Sequence, residues 1–304
     1  MRLTVSDVVS PSYFVAIAAV ELGYFRAEGL DVEFGLPSAD PAESLRDGSL
    51  DFLGNSAYGG LRAFPDWQGA KLLCALSHHG YWFLAVRSDL DARQGDVNTL
   101  KGLRISATPG PGMALKRLLL DAGLDLERDH IQIVGAPPHD PRASWSRLGV
   151  QAIQEGLADA YWGNAMRAEL GVRDGIAKVL IDVRRGDGPP AARNYTFPAL
   201  ITSDRVVDAH PEAAAGAVRA VVKTQQALKA DPSLATQVGR RWFPPEEAEL
   251  IAELVRRDAP FYEATISEEA VAGVNQFAQD VGLLSGPVPF ERVVATQFMH
   301  LWNG

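Results

Sequence analysis

The sequence predicts two α/β lobes, each a largely parallel sheet covered by helices on both faces, with an all-helical tail packed on one of them. Three observations carry this. From residue 2 to about residue 203, strand-like and helix-like stretches alternate, the pattern of parallel sheets. One short phrase is written twice: AESLRDGSLDFLGNSA (Ala42–Ala57) returns as VQAIQEGLADAYWGNA (Val150–Ala165), in register at an offset of 108, so that Gly48 matches Gly156 and Asp51 matches Asp159. From Pro211 onward the chain has no further strand pattern, so its helices must cover a sheet built earlier.

RLTVSDVV opens as a strand, β-branched and stopped by Ser-Pro. Ser10 is a helix N-cap with Pro11 in the first turn, and the helix over YFVAIAAVELGYFRAEG ends at Gly29. LDVEFGL is a second strand. DPAESLRDG is a short helix capped by Asp40 and closed by Gly48, and LDFLGN follows as a buried strand. KLLCALS and WFLAVRS are strands. LKGLRISATPGPGMALKRLLLDAG reads as strand, Gly-Pro turn and helix, and HIQIVGA as a strand. The second copy of the phrase is helix, Gly cap and strand; KVLIDVR and FPALITSD are the last strands. Arg184–Asn194, RRGDGPPAARN, is the most linker-like run. Four helices then begin near Pro211, Pro245, Ser267 and Pro289.

At 304 residues, 47% apolar and 22% charged, the chain has the composition of a soluble globular protein. A net charge of −9, without a basic stripe, argues against nucleic-acid binding. The single cysteine, Cys74, excludes an intrachain disulfide; flanked by leucines, it reads as a buried, inert thiol. No metal motif is present. No run approaches the roughly 20 apolar residues of a membrane span. The opening MRLTVSDVVSPSYFVAIAAVELGYF has an apolar stretch, but Asp7, Ser10 and Pro11 interrupt it and no small-residue cleavage site follows, so strand, turn and helix is the reading.

The repeat is a helix, a Gly cap and a buried strand ending in small and polar residues. In open parallel sheets, ligands bind beyond the carboxyl ends of the strands. The repeat alone leaves coincidence open, because a Gly-capped helix before a strand is a common α/β unit. Further stretches extend it: AIAAVELGYFRAEGLDVEF, LRDGSLDFLGNSA, LKGLRISATPGPGMALKRLLLDAGL, GLADAYWGN and FPALITSDRVVDAHPEAAAGAVRAVVKTQQAL, in that order, resemble the NMT1/THI5-like and SsuA/TauA-like solute-binding proteins of ABC importers. The resemblance implies the type II periplasmic-binding-protein fold: two α/β lobes joined by two hinge strands, a ligand cleft between them and hinge closure around the ligand. Lobe one is expected over residues 1–88 plus 199–304 and lobe two over 89–198, with crossings near Ala85–Asp89 and Thr196–Leu200.

Candidate ligand-binding residues follow from strand ends and helix starts. Ser10, Ser12 and Tyr13 stand at the first helix start; a plain capping turn is the alternative. Asn55 and Ser56, with Trp162 and Asn164, end the two copies of the phrase; of the adjacent Tyr161 and Trp162, one belongs to the core. Thr108, Gly110 and Gly112 form a small-residue turn at a helix N-terminus, suited to an anion or carbonyl, or else an ordinary tight turn. His78, His79, Tyr81 and Trp82 in SHHGYW offer aromatic faces and polar edges, or else a strand cap and core aromatics. Asn194 and Tyr195 precede the return crossing, where family members contact ligand; a surface loop is the alternative. The cleft loops lack Lys or Arg, which argues against a strongly charged oxyanion, and the ligand expected is aromatic or heterocyclic with a carboxylate or carbonyl.

The expected function is a non-catalytic solute-binding protein feeding an ABC permease, without cofactor or metal, monomeric, with no nucleic acid partner. The rival is an enzyme on the same scaffold, desulfinase-, decarboxylase- or pyrimidine-synthase-like, with His78 or His79 as acid or base. A desulfinase resembling these proteins places its cysteine in the loop after the first strand, where this chain has Ser10 and Ser12. The location is periplasmic if a leader precedes this sequence and cytoplasmic if Met1 is the native start.

Overall fold

Ten strands fall into two five-stranded sheets of the same topology in the computed structural model, which describes residues 1–36, 40–137 and 145–303. The chain divides into two units, Met1–His79 with Asn194–Gly304, and Gly80–Arg193.

In the first unit, β1 (Arg2–Val5), α1 (Pro11–Glu21), α2 (Tyr24–Ala27), β2 (Glu33–Phe34), α3 (Pro41–Asp47), β3 (Phe52–Ser56), α4 (Gly59–Ala63) and β4 (Ala70–Ala75) come first. α1 is apolar all round and buried from Pro11 to Ala19, as a helix without a polar face must be. Asp40 caps α3: its Oδ1 accepts from the backbone N–H of Ala42 and Glu43 at 3.0 and 3.2 Å, a cap that stabilises by about 1 kcal/mol.

The second unit holds β5 (Phe83–Arg87), β6 (Arg104–Ser106), α5 (Pro109–Asp121), β7 (Gln132–Val134), α6 (Leu148–Gln154), β8 (Ala160–Gly163), α7 (Ala165–Arg173) and β9 (Ala177–Asp182). Tyr161 on β8 lies in a core with Ala85, Val150 and Ala177. Its hydroxyl donates to Arg167 O at 2.9 Å. A Cβ on Gly149 or Gly171 would come within 2.4 or 2.2 Å of the Tyr161 side chain, so both helices flanking this ring need glycine there.

The chain returns to the first unit with β10 (Pro198–Ser203), α8 (Asp204–Ala209), α9 (Pro211–Ala230), α10 (Leu234–Trp242), α11 (Pro245–Asp258), α12 (Glu268–Asp280) and α13 (Phe290–Val293). These helices pack on the unit that contains residue 1: α9 lies against α1 and α2, where Arg219 and Lys223 both pair with the Glu28 carboxylate.

The strand orders are β2-β1-β3-β10-β4 and β7-β6-β8-β5-β9. β1 pairs in parallel with β2 and β3, and β6 with β7 and β8. Each sheet contains one antiparallel strand, β10 or β5, wedged between its third and fourth parallel strands. The two copies of the phrase are α3–β3 and α6–β8, equivalent in the two sheets. Gly48 and Gly156 both take φ near the left-handed region, 81° and 68°. Asp51 and Asp159 make the same exchange with the arginine that opens the neighbouring strand. Asp51 Oδ2 accepts from Arg2 N at 2.9 Å while Asp51 N donates to Arg2 O at 3.1 Å. Asp159 Oδ2 accepts from Arg104 N at 3.0 Å while Asp159 N donates to Arg104 O at 2.8 Å.

The structure departs from the sequence expectation in five places. The units divide at His79/Gly80 and Arg193/Asn194 rather than at residues 88/89 and 198/199. The segment Ala85–Arg87, expected at a crossing, is the interior of β5, hydrogen-bonded to β8 and β9. The expected first helix breaks at Gly23, φ 81°, into α1 and α2. The expected last helix stops after α13, because Val294 bridges Leu72 on the open side of β4 and Ala295 N–H donates to Leu72 O at 3.0 Å. Arg184–Asn194, read as a linker, folds instead into two short 3₁₀ turns, Val183–Arg185 and Pro190–Asn194.

Candidate functional site

Because β10 and β5 run against their neighbours, the carboxyl ends of the parallel strands and the starts of β10 and β5 share one edge in each sheet. In the first unit, β1 leads through Ser10 into α1. Ser10 is the N-cap residue and Pro11 begins the helix, yet the Ser10 side chain makes no capping bond. Its Oγ is buried and has no hydrogen-bond partner. Ser12 and Tyr13 are also buried. The Tyr13 hydroxyl lies 3.4 Å from Ser56 Oγ at the end of β3. Asn55 turns its Oδ1 onto the Ser56 N–H at 2.7 Å. Ala57 N–H donates to Phe197 O at 2.8 Å and to Thr196 Oγ1 at 3.1 Å, stitching the start of β10 to the end of β3. From the helical tail, the Tyr262 hydroxyl donates to Pro11 O at 2.8 Å and fixes the α1 turn.

β4 ends under Gln225, whose Nε2 donates to Ala75 O and Leu76 O, both at 3.1 Å. The His78 ring is occupied within the same unit. Its Nε2 lies 2.9 Å from Thr265 O and 3.2 Å from Thr265 Oγ1, and its Nδ1 is 3.9 Å from Glu263. A carbonyl only accepts, so Nε2 carries the proton toward Thr265. His79 sits in the left-handed region at φ 63°, its ring edge-on to His78 and Phe261. Tyr195 stacks on Phe277 with centroids 5.0 Å apart and belongs to the first unit's core. The backbone of half-buried Asn194 lies against Gly273, where a Cβ would meet Asn194 O at 2.5 Å.

In the second unit, Thr108 is the N-cap of α5, again followed by Pro and again without a side-chain capping bond. Gly112 N–H donates to Thr108 O at 2.8 Å. Neither Gly110 nor Gly112 needs to be glycine on local grounds. Neither has positive φ, a Cβ on Gly110 meets nothing within 4 Å, and one on Gly112 meets only Ala107 at 3.8 Å. Their effect is to leave the backbone of the turn open. Trp162 points away from the Tyr161 core, and its Nε1 donates to Pro111 O at 3.0 Å, bracing the same turn. Asn164 is buried and caps α7, its Oδ1 accepting from Arg167 N at 3.1 Å. Trp82 and Trp162 lie 5.9 Å apart at 25°, and Tyr81 lies 4.4 Å from Trp82 at 32°. Trp82 Nε1 is buried without a partner.

Of the predicted residues, Ser10, Ser12, Tyr13, Asn55 and Ser56 gather at one edge of the first sheet. Tyr81, Trp82, Thr108, Gly110, Gly112, Trp162 and Asn164 lie at or beside the corresponding edge of the second. His78 is engaged with Thr265, and Tyr195 is core. Thr196, Gln225 and Tyr262 were missed; Thr196 follows directly on the flagged Asn194–Tyr195 pair, whereas nothing local marks Tyr262. Arg184 was also missed. It follows β9 and is buried at 3% exposure beside buried Asp182, so the second sheet's edge does hold a cation, contrary to the sequence expectation. Cys74 lies within β4, fully buried, and burial pushes its thiol far above the ordinary range. Among the described residues no group of acidic, His or Cys side chains is placed to hold a metal ion, and no helix is long and apolar enough to cross a membrane.

Two sheets of parallel strands, each with one antiparallel strand from the far side of a chain crossing, define the type II periplasmic-binding-protein fold. The family model described as NMT1/THI5 like matches residues 10–235, and the chain belongs to that family. Solved structures share the fold over nearly its whole length. The alkanesulfonate-binding protein SsuA from Xanthomonas axonopodis pv. citri, bound to MOPS, has a TM-score of 0.69 at 18% identity, covering 98% of this chain and 96% of that one. The periplasmic nitrate-binding protein NrtA from Synechocystis PCC 6803 gives 0.70 at 16%, covering 99% and 86%. The desulfurization enzyme DSZB gives 0.64 at 16%, covering 98% and 97%. No curated protein matches in sequence.

Proposed function

We propose that this chain captures a small organic solute, aromatic or heterocyclic with a carboxylate, sulfonate or carbonyl group, and delivers it to an ABC permease from the periplasm. The observation that carries the reading is Ser10. A buried hydroxyl without a partner is costly and calls for an explanation, and this one sits at the N-terminus of α1, where backbone N–H groups favour an anion or carbonyl oxygen. Family membership and structural likeness to sulfonate- and nitrate-binding proteins support a transport role. The open turn at Gly110–Gly112 and the apolar surroundings that Tyr81, Trp82 and Trp162 give the same sheet edge support a ring-bearing solute.

The enzyme reading draws on the likeness to DSZB. Against it, the thiol of Cys74 is inside a strand and held protonated, and the ring of His78 is bonded to Thr265. The test is calorimetric titration of wild type and Ser10→Ala with a panel of aromatic carboxylates, aromatic sulfonates and pyrimidines. At least one should bind the wild type, and Ser10→Ala should bind it about 1–3 kcal/mol more weakly. Equal affinity in both proteins removes Ser10 from the site, and chemical turnover of the bound compound overturns the transport reading.

A further inference from the structure

We infer that Trp82 recognises the solute through its indole N–H and not through the face of its ring, so that the solute carries a hydrogen-bond acceptor beside the aromatic cluster of the second unit. The inference rests on the solute-binding reading above and narrows the class of solute. Trp82 is 7% exposed. Its ring lies 4.4 Å from Tyr81 and 5.9 Å from Trp162, both at shallow angles, so protein rings already cover it. The two stacked indoles differ in one respect. Trp162 Nε1 donates to Pro111 O, whereas Trp82 Nε1 is buried and has no partner.

The position is at the carboxyl edge. Phe83 pairs with Gly163 and Asp182, and Trp82 O accepts from Val183 N at 3.1 Å, so residue 82 stands one step beyond the last pair of the sheet. Indole N–H is a donor only. It accommodates a carboxylate, sulfonate, carbonyl or ring-nitrogen acceptor and offers nothing to an ammonium group. Buried donors are nearly always paired in folded proteins, and at this edge the group that completes the pairing is the solute's.

The test uses the full chain with its six tryptophans labelled with ¹⁵N at the indole nitrogen. Benzoate and benzenesulfonate are the probes, and benzylamine is the donor-only control. The Trp82 signal is identified as the one missing from Trp82→Phe, a variant that keeps an aromatic ring against Tyr81 and Trp162. On binding of an acid probe the Trp82 N–H resonance should move downfield and exchange more slowly with solvent. Affinity should fall about tenfold or more in Trp82→Phe, and benzylamine should do neither. If Trp82→Phe does not fold, the Trp82 signal is assigned by elimination from single Phe variants of the other five tryptophans, and the wild-type titration decides. A probe that binds while the Trp82 signal stays still, or that binds Trp82→Phe equally well, overturns the inference and leaves the solute-binding reading intact. A wild type that binds no probe and no member of the wider panel removes that reading, and the inference with it.

Discussion

Asp159→Asn measures what the repeated phrase contributes to stability. The Asp159 carboxylate takes three N–H groups from one residue: Arg104 N and Nε reach Oδ2 at 3.0 Å each, and Nη2 reaches Oδ1 at 3.1 Å. The Asp side chain is 16% exposed and the Arg 39%. Hydrogen bonds to charged groups contribute about 1.5–3 kcal/mol, and the exposure of Arg104 discounts this toward the lower end through solvent screening. Asn keeps one acceptor oxygen and loses the charge, so a loss of about 1–2 kcal/mol is expected. The equivalent Asp51→Asn should cost less, because Asp51 accepts one backbone N–H and faces Arg205 only at 3.6 Å. The loss should also depend on pH. Hydrogen bonding by the Arg104 guanidinium holds the Asp159 carboxyl below its ordinary range, against the opposing effect of burial. A lowered folded value means stability is fully present above the unfolded carboxyl's pKa of about 3.9 and is lost as pH falls through the folded value. Urea unfolding of both proteins should therefore differ near neutral pH and converge in acid. A gap unchanged in acid, or an Asp51→Asn loss larger than that of Asp159→Asn, is incompatible with a charge-dependent Asp159–Arg104 contact.

Native Cys74 should resist thiol reagents until the protein unfolds, since burial disfavours the thiolate. Cys74→Ser should retain solute binding while losing about 1–3 kcal/mol of stability, because its hydroxyl has no partner among leucines; rapid labelling of the native thiol, blocked by solute, contradicts this. Gly54→Ala should destabilise by about 1–3 kcal/mol, because its Cβ would lie 2.9 Å from Val5 and 3.3 Å from Leu76; thermal unfolding reads it. Ser10→Ala should leave the solute-free protein as stable as wild type or more so, because it removes an unpartnered buried hydroxyl; a marked drop in melting temperature without solute shows that the hydroxyl has a structural partner.

The fold was legible because its signals are local. The ten strands, the Asp40 cap and the Gly48 and Gly156 closures are each written within a few residues. The repeat was legible for the same reason, and Asp51 and Asp159 recur in it because each must meet the arginine opening the next strand. What depended on distant pairing was misplaced. WFLAVRS is a good strand in either unit, and only its pairing with β8 and β9 assigns it to the second. The helix after Pro289 carries helical residues, and only the open side of β4, more than two hundred residues earlier, stops it. At the candidate site, helix starts and strand ends were found from pattern. Tyr262 and Gln225 were not, because a side chain's arrival from another element leaves no local mark; Arg184 was not, because the run it opens reads as an exposed linker, whereas in the fold its side chain is buried.

The proposed function requires that this chain bind an acceptor-bearing aromatic solute without transforming it. Incubation of the purified protein with the aromatic acid panel, followed by thermal unfolding and by mass analysis of the recovered compound, tests this most directly. A solute at about 100 times its dissociation constant adds about 2.7 kcal/mol to stability. At least one aromatic acid should raise the melting temperature and be recovered unchanged. A melting temperature that no acid raises, or an acid recovered as a different compound, contradicts it.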